Sequence, residues 1–139
     1  MRDERTEGDV LFLRPGEGRA YPFGQMSAVF KADHGETDCA YSVSEWWLDP
    51  RTTGPGAHAH DENIELFYVI EGIASILAST EWLEAPAGSF IRIPAGVQHD
   101  FENRTDRRVG LLNVFLPGGF EENMPAISKW FAGNPPVSR

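Results

Sequence analysis

Three of the four histidines in this chain fall in two short segments that could hold a metal ion. The first reads His58-Ala59-His60-Asp61-Glu62-Asn63-Ile64-Glu65, with Gly72 following. The second carries Gly88, Pro94-Ala95-Gly96, His99 and Asn103. Imidazole nitrogen and carboxylate oxygen are the usual ligands of divalent first-row metals. Two histidines at i and i+2 on a strand point to the same side. A third histidine from another strand and one carboxylate would complete an N3O centre. The candidate ligands are therefore His58, His60, Glu65 and His99. Glu62 competes as the carboxylate, but Asp61 and Glu62 are expected to face solvent or the pocket mouth. His34 sits in the polar stretch Asp33-His34-Gly35-Glu36-Thr37-Asp38 and is expected to be an ordinary exposed residue.

The elements that must position these residues read as β-structure. Short apolar, β-branched or aromatic runs occupy residues 26–32, 40–48, 64–70, 73–78, 82–85, 90–93, 97–101 and 109–116. Turn residues separate them at Glu71-Gly72, Ser79-Thr80, Pro86-Ala87-Gly88 and Pro94-Ala95-Gly96. Many short strands with regular turn signals predict an all-β sandwich or barrel. Residues 120–131 break the pattern: Met124, Ile127, Trp130 and Phe131 recur at helical spacing. Glu121 and Glu122 would sit at the start of that helix and Lys129 near its end, both favourable for the helix dipole. Gly133 and Pro135-Pro136 would stop it. The apolar stripe is expected to pack on the barrel. Cys39 is expected to open a strand as a small buried hydrophobe, and Asn103 to bond backbone in a turn.

Composition bounds the function. The chain has 139 residues, 41% of them hydrophobic and 12% aromatic, which fits one domain with a real core. There is no run of apolar residues long enough to span a membrane. The first ten residues, MRDERTEGDV, are charged and do not read as a secretory signal. Cys39 is the sole cysteine, so no internal disulfide can form. A cytoplasmic location is expected. The net charge of -9 argues against nucleic acid and anionic membranes as partners. A small anionic substrate stays open, because a divalent cation reverses the local sign.

The pattern His-x-His-x4-Glu-x6-Gly followed by Gly-x5-Pro-x-Gly-x2-His-x3-Asn resembles the two motifs of the cupin superfamily, position by position from His58 onward. One departure is visible: where the family's first motif usually opens on glycine, this chain has Thr52. Gly54 and Gly56 lie close by, and a shifted loop with an intact site is expected. The resemblance implies a cupin jelly-roll β-barrel over residues 21–119, with an N-terminal arm at 1–20 and a C-terminal helix and tail at 120–139. It also implies one divalent metal ion per subunit, which could be Fe, Mn, Ni, Zn, Co or Cu.

In such a barrel, His58 and His60 would lie on one strand and Glu65 would open the next. Strand parity places Phe67 and Val69 on Glu65's face, Phe101 on that of His99, and Asn113 and Phe115 on the inner face of the last strand. Parity leaves Trp46 and Trp47 both open as a wall; Trp47 is assigned. The expected pocket residues are thus Trp47, Phe67, Val69, Phe101, Asn113 and Phe115. Three imidazoles and a carboxylate leave a divalent ion able to bind a bidentate oxygen ligand and lower its pKa. Glu65 can remain a ligand or act as general base.

The finer order is similar to that of bacterial quercetinase-like single-domain cupins. It runs from Tyr41-Ser42-Val43-Ser44-Glu45 through a Pro/Gly loop and the two motifs to Pro117-Gly118-Gly119-Phe120-Glu121. This resemblance implies a metal-dependent dioxygenase of an enolisable or flavonol-like small molecule. A non-redox isomerase, epimerase or decarboxylase, with Asn113, Gln98 or Arg92 as added polar groups, is the alternative enzyme. A non-enzymatic ligand-binding cupin and a storage-type structural protein are the others. Exposed edge strands of a small jelly roll predict a homodimer, with the arm available for exchange between subunits.

Overall fold

The computed structural model describes residues 10–137. The ends of the expected arm and tail lie outside the described residues. Strand alternation is the organising feature. In the strand Ser42–Leu48, residues 42, 44, 46 and 48 are buried while 43, 45 and 47 are half-buried. That is the signature of a sheet with one face on a core.

Among the described residues nine strands form: β1 (Arg19–Phe23), β2 (Met26–Ala32), β3 (Ser42–Leu48), β4 (Ile64–Glu71), β5 (Ile73–Ala78), β6 (Glu81–Pro86), β7 (Phe90–Ile93), β8 (His99–Glu102) and β9 (Val109–Leu116). They make a six-stranded sheet ordered β1-β2-β3-β9-β4-β7 and a three-stranded sheet ordered β6-β5-β8. The inner faces enclose Phe23, Phe30, Trp46, Phe67, Ile76, Phe101 and Leu111. β1 was not expected as a strand. It pairs with β2 through Phe23↔Met26 to Arg19↔Phe30, so the barrel begins inside the segment read as arm.

The C-terminal segment is helical, but its polar ends differ from expectation. Phe120–Asn123 is a 3-10 turn, and the helix proper, α1, runs Met124–Gly133 with proline at its start. Pro125 fits the first turn because that position needs no N–H. Glu121 and Glu122 therefore precede the helix, and Lys129 lies in its middle, so neither serves the dipole as expected. Met124 and Phe131 are buried against the barrel, and Phe131 meets Phe23 at 4.6 Å between ring centroids. No helix among the described residues is long and apolar enough to cross a membrane.

Cys39 is exposed and outside any strand, contrary to expectation. Asp38 and Cys39 both take positive φ in a turn closed by Ala40 N–H on Thr37 O, and β3 starts only at Ser42.

Asn103 is fully buried and ties the loops beneath the site. Its Nδ2 donates to the carbonyls of Leu48, Asp49 and Arg107, and its Oδ1 accepts from Thr105 N and Oγ1. Asn103→Ala strands several buried groups at once. It is expected to lower stability by about 3 kcal/mol, read as a lower urea midpoint with an unchanged m-value.

Candidate metal centre

The four sequence-nominated ligands converge. One ligand atom from each of His58, His60, Glu65 and His99 lies within 4.8 Å of all the others. Four ligands each ~2.1 Å from a common ion would stand no more than ~4.2 Å apart, so the cluster is close to the size an ion requires. Glu65 is on β4 and His99 starts β8, as expected.

His58 and His60 are not on a regular strand. Pro55 and the glycines on either side interrupt the ladder, leaving an extended segment joined to β8 by the bridges Thr52↔Asn103 and His58↔His99. His58 N–H donates to His99 O at 2.9 Å, and His99 N–H returns a bond at 2.8 Å. Gly96 N–H donates to His60 O at 2.8 Å. The Pro94-Ala95-Gly96 turn thus fixes His60 as well as delivering His99.

Thr52, at the position of the family's glycine, is buried and paired to Asn103. The nearby glycines meet the steric demand. A Cβ at Gly54 would stand 1.8 Å from Phe101 O, and Gly56 has φ +94°. Such a φ favours glycine.

The hydrogen bonds around the imidazoles select their tautomers. His58 Nδ1 lies 2.6 Å from Gly56 O, and His99 Nδ1 lies 2.9 Å from Val97 O. A carbonyl only accepts, so both Nδ1 atoms carry the proton and both Nε2 lone pairs face the centre. Burial pushes His58 and His60 below the ordinary imidazole pKa. Burial acts the same way on His99, but the Glu65 carboxylate beside it outweighs this and raises it.

Glu65 Oε1 is 2.6 Å from His99 Nε2 and 3.5 Å from His60 Nε2. These short approaches lack hydrogen-bond geometry: Glu65 Oε1, His60 Nε2 and His99 Nε2 are all buried without a hydrogen-bond partner. Buried orphan polar atoms are costly, and here three of them face one another. A divalent cation would satisfy all three, so the residues fit a metal.

The outer carboxylate oxygen is held separately. Asn113 Nδ2 donates to Glu65 Oε2 at 2.7 Å and to Leu66 O at 3.3 Å. Both partners are acceptors, which fixes the amide's orientation. Glu65 therefore presents only Oε1 to the centre.

The centre sits at the base of a cavity of about 260 Å³. Of the expected pocket residues, Phe101, Asn113 and Phe115 line it. Trp46, not Trp47, forms the wall. Trp47 faces outward, its ring over Gly110, where a Cβ would meet it at 2.2 Å, and Arg108 stacks on it at 4.3 Å. Phe67 and Val69 share Glu65's face but lie in the core, off the cavity. Phe67 packs behind Phe101 and His99, at 5.7 and 6.4 Å between ring centroids. Gln98 and Arg92 are exposed and outside the lining.

The rest of the lining comes from Pro55 and the C-terminal segment: Phe120, Ile127, Trp130 and Phe131. Phe120 stacks on Phe115 at 4.1 Å and meets His60 edge-on at 5.4 Å. The helical stripe was legible, but not that it roofs the site.

Asp100, next to His99, is buried, and its Oδ1 accepts from Gly56 and Phe101 N–H. Burial pushes its carboxyl from 3.8 up to about 6, against those two bonds. A raised carboxyl pKa means the folded state holds the proton more tightly. In metal-free protein, stability should fall as pH rises from 4 to 6, by no more than roughly 3 kcal/mol. Asp100→Asn should flatten that decline in a pH series of thermal melts.

A family model, the Cupin domain, matches residues 44–115. This chain is a cupin. It is 38% identical over 78 residues to the uncharacterized protein SCO3923 of Streptomyces coelicolor, covering 55% of this chain and 70% of that protein. Its fold is similar to an RmlC-like cupin from Shewanella frigidimarina (TM-score 0.67, 18% identity, 86% of this chain and 99% of that one). It is also similar to Bacillus subtilis oxalate decarboxylase, a protein with Mn(II) centres (TM-score 0.62, 18% identity, 70% of this chain and 27% of that one). At such identities these structures establish the jelly-roll fold and nothing finer.

Proposed function

We propose that this cupin is a mononuclear metal-dependent dioxygenase. Its substrate would be an enolisable small molecule with a flat, largely apolar body, in keeping with the quercetinase-like order of its motifs. The observation that carries this reading is the composition of the cavity: among the described residues its lining is aromatic and aliphatic, with polar groups only at the candidate ligands and Asn113, and no lysine or arginine. Such a wall suits an apolar body with one oxygen-bearing head. When bound, the ion would supply Lewis acidity toward an enol or enediol head and, if redox-active, coupling to O2.

The chain's own residues supply the rest. With an ion bound, His58, His60 and His99 would present neutral nitrogens. Glu65 Oε1 can hold the head's proton, while Asn113 keeps Oε2 occupied. Phe115, Phe120 and Trp46 offer faces for a planar body and shed water. A non-redox isomerase or decarboxylase would need further polar groups to move protons at the substrate. Among the described residues Asn113 is the sole amide in the lining, and Gln98 and Arg92 lie elsewhere.

The test is oxygen uptake by metal-loaded, untagged protein against a panel of flavonols, other cyclic enols and enediols. Substrate-dependent uptake supports the reading. Product formation without O2 would replace it with non-redox chemistry, and tight binding without turnover would make the chain a ligand-binding cupin.

A further inference from the structure

Beside the metal centre, β8 and the segment that carries His58 and His60 run out of step. Their two bridges are Thr52↔Asn103 and His58↔His99, so residues 53–57 on one side face residues 100–102 on the other. Two extra residues on one side make a bulge, which takes backbone groups out of the ladder. N–H groups freed in this way need another acceptor. Thr53 N–H finds one outside the ladder, in Val137 O at 3.0 Å. Pro55 has no N–H to place. Gly56 N–H donates to Asp100 Oδ1 at 3.1 Å. The same oxygen accepts from Phe101 N–H at 2.8 Å. One carboxylate oxygen thus joins the two sides where the ladder is broken.

The other polar group of Gly56 serves the site. Its carbonyl accepts from His58 Nδ1–H at 2.6 Å, and that bond turns Nε2 toward the centre. Asp100 is itself held in place: it is 7% exposed, and a Cβ added at Gly54 would stand 3.4 Å from its Oδ1. Gly54 and Gly56 contribute no side chains that could pin the loop.

We propose that Asp100 is a positioning residue for His58: by holding Gly56 it holds the carbonyl that aims the imidazole. What the role requires is an acceptor at the place of Oδ1, not a negative charge. His99 is aimed differently, through Val97 O at 2.9 Å, and is independent of Asp100 in this respect. The consequence for metal affinity rests on the metal reading above. The consequence for the imidazole does not.

Nitrogen-15 NMR of the histidine rings in full-length, metal-free protein tests it. The Nδ1–H protons of His58 and His99 should both exchange slowly in the wild type, and His58→Ala assigns the first. Asp100→Ala should lose the His58 signal and keep that of His99. Asp100→Asn retains the acceptor and should keep both. Asp100→Glu retains the charge but moves its oxygens by one methylene, and should lose the His58 signal. It also replaces the alanine variant if that protein does not fold, as judged by circular dichroism. In calorimetric titrations with Mn(II), Asp100→Ala and Asp100→Glu should bind 10-fold to 100-fold more weakly than the wild type. Asp100→Asn should stay within about threefold.

A wild type without a slowly exchanging His58 proton overturns the proposal. So does a folded Asp100→Ala or Asp100→Glu protein that keeps that signal, or binds Mn(II) as tightly as the wild type. An Asp100→Asn protein that loses the signal overturns it too, because charge would then be the requirement. The expected ring signals in a protein that binds no metal would refute the metal reading and uphold the role of Asp100.

Discussion

Excess divalent metal is expected to raise the melting temperature of the wild-type protein by about 10 °C and to leave that of His99→Ala nearly unchanged. An ion that binds only the folded state stabilises it by about 2.7 kcal/mol at a hundredfold excess over Kd. For a domain of this size each kcal/mol moves the midpoint by ~4 °C. His99 is the decisive position because it meets Glu65 Oε1 at 2.6 Å and is locked by Val97 O and the two backbone bonds to His58. Removing it takes away one ligand and the group nearest another. His58→Ala should behave alike, whereas Glu62→Ala, at an exposed carboxylate in the same segment, should keep the full metal response. Differential scanning fluorimetry with and without added Mn, Ni or Zn reads all three variants.

Glu65→Gln is expected to be as damaging as Glu65→Ala, with at least a tenfold loss of metal affinity and a hundredfold loss of turnover on any substrate found. The usual expectation is that glutamine mimics a metal-bound glutamate in shape. Here Asn113 Nδ2 points a donor at the outer oxygen, 2.7 Å away. A glutamine must therefore turn its own oxygen toward Asn113, which places its NH2 group, a donor without a free lone pair, at the metal. Flipping Asn113 to compensate would break its bond to Leu66 O. Asn113→Leu tests the same linkage from the other side. It leaves Oε2 buried without a partner and should cost 10-fold to 100-fold in affinity while leaving all four ligands in place. Titration calorimetry with a single metal ion compares the three variants directly.

How much of this was legible beforehand differs from element to element. The convergence of His58, His60, Glu65 and His99 was readable because motif spacing survives in the fold even where secondary structure does not. His58 and His60 reach the centre from an irregular segment that parity arguments treat as a strand. What carries them is backbone pairing with His99, and that pairing is non-local. Trp47 was misassigned because alternation gives two faces without saying which is inner. Gly110 decides it, since its missing side chain leaves room for an outward indole. Phe67 and Val69 were correctly placed on the inner face. Depth along the barrel axis, which no periodicity encodes, separates them from the cavity. The contribution of Phe120, Ile127, Trp130 and Phe131 to the cavity depends on where a helix docks. The sequence shows that the helix has an apolar stripe but not what that stripe covers.

The account rests on the claim that His58, His60, Glu65 and His99 share one ion. Elemental analysis of untagged protein after metal loading and desalting is the most direct test. One divalent ion per chain, lost when His99 is replaced by alanine, is the predicted result. Wild-type protein that retains no metal, or the same metal content in His99→Ala, would contradict it.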